Sequence, residues 1–152
     1  MKKKIEDYPW FCPQPFMNIV TNVFGKIQPC CVIKGNNEWD RNQTIEEYSK
    51  SDMLRQFRKE MLEGSGPLVE TNCEVCIEQE KHSQESHRRT YNRYLEYNKP
   101  ELKKELEEYL ETGMDTPFVR TMEWIAPSNF CNLRCHMCGP GNSSSIASEN
   151  QN

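Results

Sequence analysis

The clearest helical pattern in the chain lies between residues 51 and 64. Its apolar residues follow the spacing i, i+3, i+7 and i+8 and therefore share one helix face: Leu54, Phe57, Met61 and Leu62. Ser51 can cap the start of this helix and Gly64 can end it. Just before it, Thr44 and Glu47 have the spacing of a capping box, which predicts a further helix start.

A second apolar face predicts a helix that begins at Pro100 and ends at Gly113. Its members recur with helical spacing: Leu102, Leu106, Tyr109 and Leu110. The charged residues between them predict a solvated face: Lys103, Glu107 and Glu108. Residues 74–97, between the two patterns, form a polar segment with interleaved tyrosines, and we expect this segment to be helical as well.

Short β-rich stretches precede and follow these helices. Residues 16–21 are rich in β-forming side chains, residues 22–25 supply a turn, and residues 26–33 return, so this region predicts a hairpin. Residues 120–126 predict a further strand that leads into a cysteine-rich motif. The elements together predict an α+β fold.

Composition and charge narrow the class of protein. Hydrophobic residues make up 36% of the 152 residues, below the roughly 45–50% of ordinary globular domains, so we expect something besides the apolar core to help hold the fold. The net charge of -4 argues against a large nucleic-acid interface. The sequence has no apolar run of about 18 residues and predicts no export signal. We therefore expect a cytoplasmic protein that binds neither nucleic acid nor membranes.

The eight cysteines are the strongest chemical signal. In a reducing compartment, clustered cysteines indicate metal ligands rather than disulfides, and thiolates bind zinc, copper(I) or iron–sulfur clusters. The cysteines fall into an N-terminal group, a C-terminal group and one extra residue: Cys12, Cys30, Cys73 and Cys76; Cys131, Cys135 and Cys138; and Cys31.

The C-terminal group has the spacing C-x3-C-x2-C. Three thiolates this close can hold one side of a four-iron cluster and leave one iron without a protein ligand, as an open catalytic metal site requires. The position directly after a predicted strand fits a site at the carboxyl end of a barrel strand. The alternative is a zinc site that His136 completes.

This motif resembles the cluster motif of the radical S-adenosylmethionine (SAM) enzymes. The resemblance implies that Cys131, Cys135 and Cys138 hold a 4Fe-4S cluster and that SAM chelates its fourth iron. It also implies that one-electron reduction cleaves SAM to a radical that abstracts hydrogen from a substrate. Met137 stands where the family usually has an aromatic residue near the adenine, and we expect it to contact SAM there.

The N-terminal group could close four thiolates around one centre. Cys12 and Cys30 lie on the predicted hairpin region, whereas Cys73 and Cys76 form a C-x2-C pair at the start of the polar helix. Four thiolates make a closed site that either zinc or a 4Fe-4S cluster accepts, so the spacing alone leaves both open.

The pattern C-x12-G-x4-C followed by C-x2-C resembles the auxiliary-cluster domains of radical SAM enzymes, known as SPASM and its shortened form, twitch. The residues between and after the cysteines fit this resemblance: Met53, Leu54, Arg55, Arg58, Met61, Leu62, Gly64, Glu80, Ser86 and Arg88. Because His82 stands where a full SPASM domain has a further cysteine, the resemblance implies twitch and one auxiliary 4Fe-4S cluster.

The remaining polar residues near these cysteines have simpler interpretations. We expect Cys31 to be a small buried side chain and His82 and His87 to be surface groups or groups just outside the metal ligands. The basic residues of this segment predict a solvated helix face: Arg88, Arg89 and Arg93.

The resemblance divides the chain into a twitch-like domain at 1–98, a helical linker at 99–117 and the start of a radical SAM barrel at 118–152. Complete barrels need about 200 residues or more, and only about 30 follow the first barrel strand. We therefore expect the N-terminal portion of a radical SAM enzyme that is inactive by itself. A second polypeptide could supply the rest of the barrel.

A radical SAM enzyme also implies partners. An electron donor is required, and the substrate is a small molecule or peptide of unknown identity. The alternative classes of protein are a zinc-binding interaction module with a four-cysteine site and a non-catalytic iron–sulfur protein.

Overall fold

The computed structural model describes residues 4–21, 25–33, 43–114, 118–124 and 129–149. This part of the chain forms helices and one small sheet, which confirms the predicted α+β class. Within the described ranges, none of the helices has the length and apolar character needed to cross a membrane.

The sheet has three strands in the order β2-β1-β3. β1 (Asn18–Thr21) pairs antiparallel with β2 (Ile27–Gln28), so the predicted hairpin forms, but its return strand ends at Gln28 and does not continue to residue 33. Gly25 before β2 has a φ of 71°, a left-handed conformation that favours glycine. The other residues of the predicted turn lie outside the described part of the chain.

The third strand comes from the other end of the sequence. β3 (Thr121–Trp124) runs parallel to β1, with Asn18 opposite Thr121. Residues 125 and 126 of the predicted strand lie outside the described residues. The first strand therefore joins the N-terminal hairpin and the segment before the C-terminal cysteines in one sheet.

The described residues contain eight α-helices, which follow one another along the chain as α1 (Gln14–Met17), α2 (Ile45–Ser49), α3 (Asp52–Glu63), α4 (Pro67–Asn72), α5 (Glu74–Lys81), α6 (His87–Asn98), α7 (Pro100–Glu111) and α8 (Ser144–Glu149). Thr44 caps α2 through the predicted capping box with Glu47. Ser51 caps α3, and Gly64 ends it with a φ of 88°.

Further details of the predicted elements are wrong. The polar segment 74–97 is not one helix, because Ser83 adopts a φ of 58° and Ser86 caps a new helix, α6. The sequence pattern also missed α4, and it placed Phe16 and Met17 in a strand although they end α1.

The core lies where α1, α3, α6 and α7 pack on one another and on the sheet. Leu106 and Tyr109 of α7 are buried there, and Tyr109 stacks on Phe118 with ring centroids 4.8 Å apart. Two charged residues of the predicted solvated face also contact other parts of the protein. Lys103 pairs with Glu6, and Glu107 accepts a hydrogen bond from the Ile5 amide. Helix α7 thus secures the N-terminal segment as well as the core.

Candidate functional site: two cysteine groups

The N-terminal cysteines meet at one narrow cavity. Cys12, Cys30, Cys73 and Cys76 all line it, together with apolar side chains from four parts of the chain: Pro15, Val32, Ile33, Phe57, Met61 and Val75. Cys12 and Cys76 are buried, each 7% exposed. The fold therefore brings together the four thiols that the sequence pattern grouped.

Arg58 fixes the far end of the segment that carries Cys12. Its Nε donates to the carbonyl oxygen of Pro15 at 2.8 Å and its Nη2 to that of Phe16 at 3.4 Å. Arg58 is only 4% exposed, and its guanidinium lies over the Phe16 ring. A buried cation that satisfies buried carbonyls positions the irregular chain around Cys12 where backbone ladders cannot.

Arg88 and Asn92 fix the near end of the same segment. Arg88 Nη1 donates to the carbonyl oxygens of Pro9 at 3.2 Å and Phe11 at 3.3 Å, and Asn92 Nδ2 donates to Phe11 at 2.9 Å. The Arg88 guanidinium also lies 4.8 Å from the ring centroid of Trp10. Cys12 is therefore held between two arginine anchors, one on α3 and one on α6.

Glu80 organises Arg88. Its Oε1 accepts from Ser86 Oγ at 2.5 Å and from Arg88 Nε at 2.9 Å, and its Oε2 pairs with Arg88 Nη2. Burial works against ionisation of Glu80, but these hydrogen bonds outweigh it and lower the pKa of the carboxyl. The prediction of a solvated face is wrong for Arg88, although Arg93 at 57% side-chain exposure is solvated and pairs with Glu85.

Glu60 positions the other pair of cysteines through α4. Its buried carboxylate accepts from the amides of Leu68 at 2.8 Å and Val69 at 3.1 Å, the first turn of that helix. Cys73 lies between α4 and α5, and α5 carries Cys76 into the cavity. A carboxylate that caps α4 therefore sets where the C-x2-C pair lies.

Cys30 and Cys31, which follow β2, have different surroundings. Gln28 Nε2 donates to the Cys30 carbonyl at 3.0 Å, and Cys30 lines the cavity. Cys31 is half-buried, and its Sγ lies 4.0 Å from the hydroxyl of Tyr91. The hydroxyl also contacts Glu123 Oε1 at 3.4 Å. Of these two residues, Cys30 lines the cavity and Cys31 does not, and the choice of Cys30 as the ligand stays a prediction.

Burial governs the charge state of the cavity thiols. It raises the pKa of Cys73 to about 12, and it raises the pKa of Cys12 and of Cys30 as well. The thiols also raise one another's pKa, since Cys12 is affected by the charge of Cys73 and Cys76. A metal centre at this cavity must displace these protons, because only the thiolates are ligands.

The cavity is not a ready-made shell for one ion. In the described ranges, no three Cys, His, Asp or Glu side chains form a group that could hold a metal ion. A tetrahedral zinc with Zn–S bonds of about 2.3 Å needs its sulfurs about 3.8 Å apart. In a 4Fe-4S cluster, each thiolate would ligate a different iron, so the four sulfurs need not converge on one point. The donor set and the dry walls fit an iron–sulfur cluster.

The C-terminal cysteines lie on an exposed loop. Cys135 is exposed, and Cys131 and Cys138 are half-buried. Desolvation raises the pKa of Cys138, and the charges of Cys135 and Cys131 add to this effect, so the three thiols are close enough to interact. The Cys138 amide donates to the Cys135 carbonyl at 2.9 Å.

Serine side chains hold this loop in shape. Ser143, which is fully buried, donates to the Leu133 carbonyl at 2.7 Å and the Cys131 carbonyl at 3.3 Å. Ser144 Oγ accepts from the Cys131 amide at 3.1 Å. Met137 is 94% exposed, and its contact with SAM stays a prediction.

Asn92 and Tyr91 are among the site residues that escaped the sequence interpretation. Asn92 lies four residues after Arg88 and therefore on the same helix face, a spacing that could have revealed it. Tyr91 and His87 both line the cavity, although His87 is exposed, as is His82. No local pattern distinguishes Tyr91 from the other tyrosines of α6.

Comparison with known proteins gives no relative for this chain. No protein-family model, curated protein or solved structure matches it. A functional assignment therefore depends on the two cysteine groups themselves.

Proposed function

We propose that this chain is the N-terminal portion of a radical SAM enzyme with an auxiliary 4Fe-4S cluster in the four-cysteine cavity. The observation that carries the proposal is the meeting of Cys12, Cys30, Cys73 and Cys76 at one cavity, although they are far apart in the sequence. Glu80, Ser86 and Arg88, which also carry the resemblance to twitch, form one hydrogen-bonded group beside it.

The second metal site is assigned to Cys131, Cys135 and Cys138. A cluster bound there would supply the electron that cleaves SAM. None of the three cysteines is buried, and Cys135 is exposed, as a site that must admit SAM needs. Met137 remains the candidate contact for the adenine, because it lies exposed next to Cys138.

The resemblance to radical SAM enzymes also implies partners. We expect no SAM turnover by the chain alone. An electron donor, an unidentified small-molecule or peptide substrate and a second polypeptide that continues the barrel belong to this proposal.

The test is metal content. The full chain is purified without oxygen and reconstituted with iron and sulfide, and iron, sulfide and zinc are measured per chain. We expect about eight irons and eight sulfides, which corresponds to two 4Fe-4S clusters. Cys135→Ala should remove about half of the iron through the C-terminal site.

Matched cysteine variants locate the auxiliary site. Cys73→Ser should remove about half of the iron, whereas Cys31→Ser should keep it, because Cys31 lies beside Tyr91 and does not line the cavity. Far-ultraviolet circular dichroism checks that each variant is folded. Zinc without stable sulfide in the unsubstituted chain would overturn the proposal and favour an interaction module.

A further inference from the structure

We propose that Arg88 and Glu80 set the reduction potential of the cluster in the four-cysteine cavity, with Arg88 favouring the reduced form and Glu80 the oxidised form. This inference rests on the proposed function. Arg88 lines the cavity itself, whereas Glu80 is not among its lining residues. Arg88, the positively charged member of the pair, is therefore the one that faces the cavity.

Several contacts fix the position of the Arg88 guanidinium. Glu80 holds Nε and Nη2, the carbonyl of Phe11 holds Nη1, and the ring of Trp10 lies against its face. Phe11 precedes Cys12 directly, so the charge lies next to one ligand. A rotamer change could not carry this charge away from the cavity without breaking several contacts.

The pair is shielded from water. The side chain of Arg88 is 14% exposed and that of Glu80 is 9% exposed. Charges in such surroundings are screened far less than surface charges. Arg89 also pairs with Glu80, at 3.5 Å, but its side chain is 48% exposed and it does not line the cavity.

Both charges lie close to the cavity. Arg88 is one of its lining residues and donates to the carbonyl of Phe11, next to Cys12, whereas the Glu80 carboxylate lies on Nε and Nη2 of the same guanidinium. Reduction of a cluster in the cavity adds one negative charge there. Electrostatics then predict that Arg88 stabilises the reduced cluster and that Glu80 destabilises it, as charge near a cluster does in general.

Two substitutions that break the same ion pair give opposite predictions. The experiment uses the full chain with Cys135→Ala, so that the reconstituted cavity cluster is observed alone. Redox titration is followed by visible absorption and electron paramagnetic resonance. Arg88→Gln should shift the midpoint to a more negative potential, and Glu80→Gln to a more positive one.

The expected size is about tenfold in the ratio of reduced to oxidised cluster at a fixed potential, which is about 59 mV for a one-electron couple. Arg88→Lys, which keeps the charge, should return most of the shift. Glu78→Gln is the matched control, because Glu78 lies on the same helix, is 49% exposed in its side chain and pairs with Lys81. We expect it to leave the midpoint unchanged.

A purely structural role for the pair makes a different prediction. Loss of either partner would then move the midpoint in the same direction or only lower the iron content. Shifts of the same sign, or an unchanged midpoint in Glu80→Gln, overturn this inference. If Arg88→Gln does not load iron, the sign of the midpoint shift in Glu80→Gln still decides whether this inference holds.

Failure of the proposed function gives a distinct result. The Cys135→Ala chain with an otherwise native sequence would then bind no iron and sulfide, before any charge is changed. A cluster that loads and ignores both charges refutes only the role of the pair.

Discussion

The two cysteine groups are built in opposite ways. The four-cysteine cavity is lined in part by core residues, and the segments that carry its cysteines are positioned by Arg58, Glu60 and Arg88 from two different helices. The C-terminal loop is held by short-range bonds, mainly through Ser143 and Ser144, and it exposes Cys135. Folding alone gathers the first group, so metal binding there is coupled to global stability, whereas the second can rearrange locally.

The largest difference should appear when an arginine is removed from each region. Arg58→Met leaves the buried carbonyls of Pro15 and Phe16 without their donor, and we expect a loss of about 3 kcal/mol of unfolding free energy. Arg134→Met removes an exposed pair with Glu149 and should change stability by less than about 0.5 kcal/mol. Urea denaturation of the metal-free chain measures both.

Equal losses for the two arginine variants would contradict the contrast between the regions. Arg58→Lys is an intermediate variant that tests this contrast further. Lysine keeps the positive charge but lacks the planar guanidinium that reaches both carbonyls.

A glycine in each region gives the next largest effect. A Cβ at Gly66 would lie 2.3 Å from Glu60 Cδ, and Glu60 is fixed by the amides of α4. Gly66→Ala should therefore cost about 2 kcal/mol through overpacking. Gly139→Ala has no atom within 4 Å of its new methyl and should be close to neutral. Thermal unfolding compares them, and a neutral Gly66→Ala would show that Glu60 is free to move.

Ser143→Ala tests whether the C-terminal loop is an independent unit. It removes the donor to the Leu133 and Cys131 carbonyls, and we expect about 1 kcal/mol of local destabilisation. Amide hydrogen exchange should accelerate around Cys131, with little change in α3. The control is Ser148→Ala, because the Ser148 hydroxyl is exposed and bonds only the nearby Ser145 carbonyl among the described contacts. Faster exchange across the core would show that the loop is part of it.

The smallest effect is a dependence on pH that belongs to the cavity region. The pKa of Glu80 is lowered in the folded chain, so its contribution to stability is present above the unfolded value of about 4.5 and is lost as the pH falls through the lower folded value. Glu80→Gln should therefore flatten the fall in stability below about pH 4.5. Denaturation curves between about pH 3 and 7 measure this, and an unchanged slope would contradict it.

Local signals predicted the helices better than the site. Ser51 and Gly64 bounded α3 correctly, because a cap and a left-handed glycine act on neighbouring backbone groups. The break between α5 and α6 depends on Ser86, whose hydroxyl bonds both the Arg89 amide and the Glu80 carboxylate. A single sequence shows the capping serine but not the carboxylate that fixes it.

The grouping of the cysteines could be predicted, and the scaffold around them could not. The spacing of Cys73 and Cys76 places both at one helix start, which is local information. The bond from Arg58 to Pro15 spans 43 positions, and the bond from Arg88 to Pro9 spans 79. Such contacts depend on how whole helices pack, and the charge of an arginine gives no sign of its partner.

The parallel pairing of β1 with β3 also sets an order of assembly during synthesis. Asn18 and Thr121 are 103 positions apart, so at ribosomal rates β1 waits about 5–20 s for its parallel neighbour. All four cavity cysteines leave the ribosome in that interval or before it, because Cys76 precedes β3. The four cavity thiols can therefore come together in the nascent chain before β3 has been synthesised.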